Sequence, residues 1–243
     1  GSGADAYLQA KFSGARQLVG IVASGPRHEK LREVRVPMAI PERQRGLDDA
    51  LTIIQGVWGS EPFSYEGKHF RVEAMRIEPP PWQQPRPPIL IGGSGERKTL
   101  RQVAQFGDAC NVREPMVITD TRVTHEQRAA AVRAKYDALH AHCAELGRPE
   151  DEVLRTHFTL YLILAPTEAA VREKLDALDA ARSTSPGTRR DGKLNVFAAT
   201  PERAAAYYRA IAAAGAQYFI IQLDGRDHET IRLLAEEVAP AVA

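Results

Sequence analysis

The sequence predicts an α/β fold, a parallel sheet with helices packed outside it. Three observations carry that reading. Five short apolar runs are each followed by a stretch with helical apolar spacing. Glycine and proline punctuate the chain between these pairs. No apolar run reaches the roughly 20 residues that span a bilayer. The spacing leaves open whether the sheet is doubly wound or closed into a barrel.

The first strand is Gln17 to Ala23, an apolar run bounded by Gly14 and Gly25-Pro26. From Arg43 onward Leu47, Leu51, Ile54 and Trp58 repeat on one helical stripe. "FSYEGKHFRV" alternates with period two around Glu66-Gly67 and predicts a hairpin. Six of the 16 prolines then fall between Pro79 and Pro88, where fixed φ and missing donors forbid regular structure. Residues 60–88 are therefore a hairpin and proline-rich insertion within a single domain spanning 1–243.

Beyond it, Pro88 to Ile91 is a strand, Glu96 to Phe106 a helix, and Asp108 to Val112 a second short strand. Thr124 and Gln127 form a capping box for a long helix, with Val132, Tyr136, Leu139, Cys143 and Leu146 inward and Gly147 and Pro149 ending it. His157 to Leu164 is a strand, and Thr167 opens a helix carrying Val171, Leu175 and Leu178. Residues 181–195 form a polar, basic, flexible loop. Thr200-Pro201-Glu202 opens a helix that stops at Gly215, Gln217 to Leu223 is a buried strand, and Asp227 caps a last helix bearing Ile231, Leu234 and Val238.

A net charge of +1 gives no global field for nucleic acid or an anionic membrane, so an anion needs a local site. The absence of a signal-peptide pattern predicts a cytoplasmic protein. Cys110 and Cys143 form no CxxC pair, which predicts reduced thiols and no metal.

The local site is "ILIGGSGERKTL", glycines between a strand end and a helix start, where unbonded amides and the helix dipole favour an anion. Ser94 and Thr99 add hydroxyls and Arg97 a charge. Each bond to a charged phosphate oxygen contributes roughly 1.5–3 kcal/mol, so three or four would anchor a phosphorylated cofactor. A plain glycine turn explains the same residues. Asp108 and Asn111, in "GDACN", are candidates to line the cofactor face or to bond neighbouring loops. His28 and Glu29, just past the first strand, are acid and base candidates against a solvated pair. Arg182, Arg189, Arg190 and Lys193 are a basic run, either solvated or closing on an acidic tail. His140 and His142 point apart on their helix and read as exposed. Gln222 and Asp224 end the last strand, where a ligand or a turn fits.

"RPPILIGGSGERKTLRQVAQFGDACN" resembles the luciferase-like flavin and deazaflavin oxidoreductases, and "LHAHCAELGRP" and "TPERAAAYYRAIAAAGAQYFIIQL" resemble their coenzyme F420-dependent subgroup. "LDDALTIIQGVWGSEPFSYEGKHFRVE" is similar to the family's helix and hairpin insertion. The resemblance implies a TIM-barrel-type (β/α) fold, N-terminally truncated or partial, with about five β/α units. It implies coenzyme F420, or alternatively FMN, with its phosphate on Gly92, Gly93, Ser94, Gly95 and Arg97. The implied activity is hydride transfer to a small organic substrate, or an FMN-dependent monooxygenation. Because "SGARQLVGIVASGPRHEKL" is similar to the family's fourth strand and following loop, about 90 residues would precede it in the family. Those residues carry a catalytic histidine and a non-proline cis peptide. The family's glutamate-histidine pair is replaced here by Lys30-Leu31. An arc of five strands leaves edges to be covered by a second copy or a partner completing the barrel, and a noncatalytic ligand-binding module or partner subunit is the alternative reading.

Overall fold

The computed structural model describes residues 19–22, 40–113, 123–183 and 196–243. The chain divides into two compact units, residues 1–111 with 138–154 and residues 112–137 with 155–243.

In the first unit β1 (Val19–Val22), β4 (Ile89–Gly92) and β5 (Ala109–Val112) lie side by side in parallel. Ile21 stands opposite Ile91, and Gly92 opposite Asn111. Ile89, Leu90 and Ile91 are all buried, the continuous apolar run expected of a parallel strand. Helix α1 (Ile40–Val57) buries Leu47, Leu51 and Val57. Trp58 falls in the turn after it and is half-buried, with Ile54 likewise half-buried on the helix. Full burial of a leucine such as Leu51 contributes about 2 kcal/mol. Helix α2 (Thr99–Phe106) begins three residues later than its spacing suggested, because residues 96–98 form a turn.

The hairpin pairs β2 (Phe63–Glu66) with β3 (Arg71–Met75). Its anchor is Asp49 of α1, buried at 6% exposure, whose carboxylate accepts from Tyr65 Oη at 2.9 Å, His69 N at 2.7 Å and Phe70 N at 3.3 Å. Burial works to raise the Asp49 pKa, but these donors outweigh it and hold the group below the usual carboxylate range. A Cβ at Gly67 would lie 2.5 Å from that carboxylate, so the turn admits only glycine.

The long helix α3 (His125–Glu145) forms the expected box: Thr124 N donates to Gln127 Oε1 at 2.9 Å, and Gln127 N to Thr124 Oγ1 at 3.2 Å. Gly147, at φ +67°, ends the helical path, and Arg148 N returns to the Cys143 carbonyl. Leu146 lies 40% exposed rather than on the inward face.

In the second unit β6 (Leu154–Thr159) pairs in parallel with β9 (Tyr218–Ile221), and β7 (Leu162–Leu164) with β8 (Phe197–Ala199). The single strand expected from His157 to Leu164 is thus two. Tyr161, at φ +52°, turns the chain between them, and its carbonyl accepts from Phe197 N. The three-residue β8 is too short to leave a periodic signal. Helices α4 (Glu168–Ser183), α5 (Pro201–Ala213) and α6 (His228–Leu233) flank these pairs in sequence, and α4 takes in residues 181–183, which were expected to belong to a loop. Residues 184–195, with Arg189, Arg190 and Lys193, lie outside the described residues. The core here is aromatic: Tyr207, Tyr208 and Phe197 meet at ring distances of 4.5 to 6.1 Å. β9 is not the buried strand expected, since Tyr218 is 58% exposed. Among the described residues it is bonded on one side only, to β6, which leaves its other edge uncovered.

Candidate functional site at the end of β4

β4 delivers Gly92 to its C-terminal end, beside Asn111 of β5. Gly93 N donates to the Asn111 carbonyl at 3.0 Å, tying the turn to the neighbouring strand. The structure therefore brings Gly92, Gly93 and Asn111 together.

Two of the glycines are required by one side chain. Thr99, the first residue of α2 and only 8% exposed, stands beneath the turn. A Cβ on Gly93 would lie 2.9 Å from Thr99 Cγ2, and one on Gly95 3.0 Å from Thr99 Oγ1. Gly93 also has φ +137°, a conformation that side chains resist. The turn is thereby drawn close over the helix start.

This close wrapping leaves donors uncommitted. Leu100 N is taken by the Gly95 carbonyl at 3.0 Å and Gln102 N by the Lys98 carbonyl at 2.9 Å. Among the described residues, the N–H groups of Gly95, Arg97, Lys98 and Thr99 have no partner. Arg97 and Lys98 are exposed and make no ion pair there. Unpaired amides, a helix start and two cations form an environment suited to an anion. The phosphate of a cofactor would fit this cradle, which offers it unbonded N–H donors and exposed cations.

His142 of α3 was expected to be exposed. Its side chain is only 17% exposed, and Nε2 donates to the Glu96 carbonyl at 2.8 Å. It props the far side of the turn. Nothing in its sequence spacing marks this contact, which joins positions 46 residues apart. His140 is exposed and paired with Glu150.

Asp108 is not part of this site. It precedes β5 at the opposite end of the strand, where its carboxylate accepts from Arg86 Nη1 at 2.5 Å, Arg86 Nη2 at 3.1 Å and Ile89 N at 2.7 Å. Its role is to fasten the start of β4. His28 and Glu29 lie outside the described residues. In the second unit Asp224 is engaged by Arg226 and by Tyr161 Oη at 3.4 Å, closing a turn. No described helix is long and apolar enough to cross a membrane, and no metal-binding group of three His, Cys, Asp or Glu occurs among the described residues.

The profile of the luciferase-like monooxygenase family matches residues 4–226. The chain is 25% identical over 166 residues to an FMNH2-dependent dimethylsulfone monooxygenase of Pseudomonas putida, covering 68% of this chain and 41% of that one. It thus spans well under half the length of that relative. Among solved structures it is similar to the monooxygenase RslO1 from Streptomyces bottropensis, with a TM-score of 0.71 at 17% identity over 98% of this chain and 72% of that one. It is also similar to the coenzyme F420-dependent tetrahydromethanopterin reductase of Methanopyrus kandleri, with a TM-score of 0.66 at 14% identity over 95% and 76% of the two chains. These likenesses accord with a TIM-barrel-type β/α chain in partial form, with a hairpin insertion and, among the described residues, six strand-then-helix steps rather than the five expected, β8 before α5 being the added one. The chain belongs to the luciferase-like monooxygenase family.

Proposed function

We propose that the chain binds a deazaflavin or flavin cofactor by its phosphate at the turn from Gly92 to Thr99 and serves an oxidoreductase. The observation that carries this reading is the set of uncommitted N–H groups of Gly95, Arg97, Lys98 and Thr99 at the C-terminal end of β4. Barrel enzymes place their ligands at that end of the strands. Gly92, Gly93, Ser94 and Gly95 let the phosphate approach the backbone, Arg97 offers a charge, and Asn111 holds the turn against β5. The cofactor, when bound, supplies hydride chemistry, and the chain supplies position and electrostatics. We favour coenzyme F420 and a small organic substrate on the sequence resemblance, with FMN-dependent monooxygenation as the other mode.

Titration of the protein with coenzyme F420 and, separately, with FMN, followed by absorbance and fluorescence, tests the reading. Saturation by one of them supports it and selects the mode; no binding of either at high micromolar concentration overturns it.

A second reading has its own observation. Among the described residues β1 pairs only with β4, and β9 only with β6, so each offers an open edge. A second copy or a partner chain that completes the barrel would cover them, and the chain would then act as a cofactor-binding subunit. Size-exclusion chromatography with light scattering tests this, and a stable monomer that turns over substrate rules it out.

A further inference from the structure

β9 is an open edge without the devices that keep such edges from pairing. Among the described residues it bonds to β6 on one side, and its four residues make no further hydrogen bond. Soluble proteins blunt an edge with lysine, proline, a bulge or a covering segment. None of the first three occurs here: no charged residue and no proline lies between Ala210 and Leu223, and the register with β6 runs unshifted from Tyr218 to Ile221. The side chains agree with the backbone. Ile89, Leu90 and Ile91 of β4 are buried, as in a parallel strand covered on both faces, whereas Tyr218 is 58% exposed and Phe219, Ile220 and Ile221 are each half-buried. Phe219 marks the packed face, its ring 6.2 Å from that of His157 and 5.0 Å from that of Tyr208. Tyr218 and Ile220 alternate onto the other face.

We propose that this edge pairs antiparallel with β9 of a second copy of the chain, joining the two copies through one continuous sheet. The inference rests on the open-edge reading above and is independent of the glycine turn, which belongs to the other unit. Charge selects the occupant. A twofold axis brings identical patches together, so the surface must suit itself. An uncharged strand does so, because no like charges come opposite one another across the pair. A charged partner strand would find no ion-pair partner along β9. The net charge of +1 adds no long-range repulsion between copies. Pairing centred on Phe219 sets Tyr218 of each copy opposite Ile220 of the other, an aromatic against a β-branched side chain on the less covered face, which is a favoured cross-strand pair. An edge of four residues makes a small interface, so the dimer is weak and reversible, with a Kd of about 10–100 μM.

The test is sedimentation velocity on the full chain from about 5 to 500 μM, with hydrogen exchange at both ends of that range. A monomer–dimer equilibrium is expected, weakened about tenfold or more by Tyr218→Lys and kept by Tyr218→Phe. Tyr218 is exposed enough to accept the lysine within a folded chain. The β9 amides not bonded to β6 should exchange more slowly as the dimer fills, a readout that needs no variant. The proposal is overturned by a chain that stays monomeric at about 500 μM, by a dimer equally strong in Tyr218→Lys, or by β9 amides whose exchange ignores concentration. A dimer that survives Tyr218→Lys with β9 unprotected removes this pairing but leaves the open-edge reading to β1. The F420 and FMN titration bears on the cofactor reading alone, so the failures are told apart.

Discussion

The two ends of the β4–β5 pair are held in opposite ways. At the start of the strands Asp108 receives two bonds from Arg86 and one from Ile89 N, and its own N–H donates to the Ile89 carbonyl at 2.8 Å. At the far end the backbone bond from Gly93 N to the Asn111 carbonyl ties the turn across, and among the described residues the N–H groups of Gly95, Arg97, Lys98 and Thr99 have no partner. One end spends its polar groups on stability. The other leaves four of its N–H groups unbonded, which is the condition for meeting a ligand without first breaking internal bonds.

The largest effect belongs to the closed end. Asp108→Ala removes three accepted bonds and leaves the 22%-exposed Arg86 side chain without its partner, at a cost of about 2–3 kcal/mol in urea denaturation. Cofactor affinity at the turn is expected to stay within about twofold, once the folded fraction is accounted for. A variant that folds normally yet loses the cofactor breaks the comparison, because Asp108 would then matter to the open end.

Next comes Gly93→Ala. The new Cβ meets Thr99 Cγ2 at 2.9 Å and the residue must hold φ +137°, which together cost about 1–3 kcal/mol. Affinity for the phosphorylated cofactor is expected to fall about tenfold or more. Adding Thr99→Ser removes Cγ2 and relieves the contact but not the backbone strain, so recovery should be partial. Full recovery would show that the φ requirement is not what shapes the turn.

A smaller effect is expected from His142→Leu, which removes the 2.8 Å bond to the Glu96 carbonyl and keeps side-chain bulk. The loss is about 1 kcal/mol in stability, with a cofactor affinity change of a fewfold. Unchanged affinity and stability would mean that the turn holds its shape without this prop.

These residues also show what the sequence makes legible. The glycine turn is visible because its cause is local: a strand, a need for positive φ and a helix start lie within a dozen residues. The capping box at Thr124 and the Asp227 cap, whose Oδ1 accepts from Thr230 N at 3.1 Å, are legible for the same reason. Asp108 was expected at the ligand end because "GDACN" marks a short strand without fixing which residue meets its neighbour's start. His142 and Asp49 were missed because their partners, Glu96 and the Tyr65 to Phe70 turn, are distant in sequence and set only by packing. The split at Tyr161 arises in the same way, from chain path rather than from any run of residues. Apolar period locates elements; polar engagement across them follows from their assembly.

The smallest predicted effect tests whether an open end is special or merely what any strand end looks like. In the second unit Asp224, beyond the end of β9, is closed off: Arg226 donates from Nε at 3.1 Å, Nη2 at 2.9 Å and its backbone N at 2.9 Å. The Arg226 guanidinium, first among these donors in effect, lowers the Asp224 pKa from 3.8 to about 2. A carboxylate with a depressed folded pKa contributes stability above its unfolded value, and that contribution disappears as pH falls through the folded value. Asp224 should therefore stay charged through pH 4 and titrate near 2 in a carboxyl-carbon NMR experiment, while Arg226→Ala moves its midpoint back toward 3.8. Stability between pH 7 and 5 should not change on account of this group. Titration of wild-type Asp224 near 3.8 would mean that Arg226, which is 91% exposed, is solvated rather than bound. The turn at β9 would then be open like the one at β4, and uncommitted polar groups would no longer single out the Gly92–Thr99 segment.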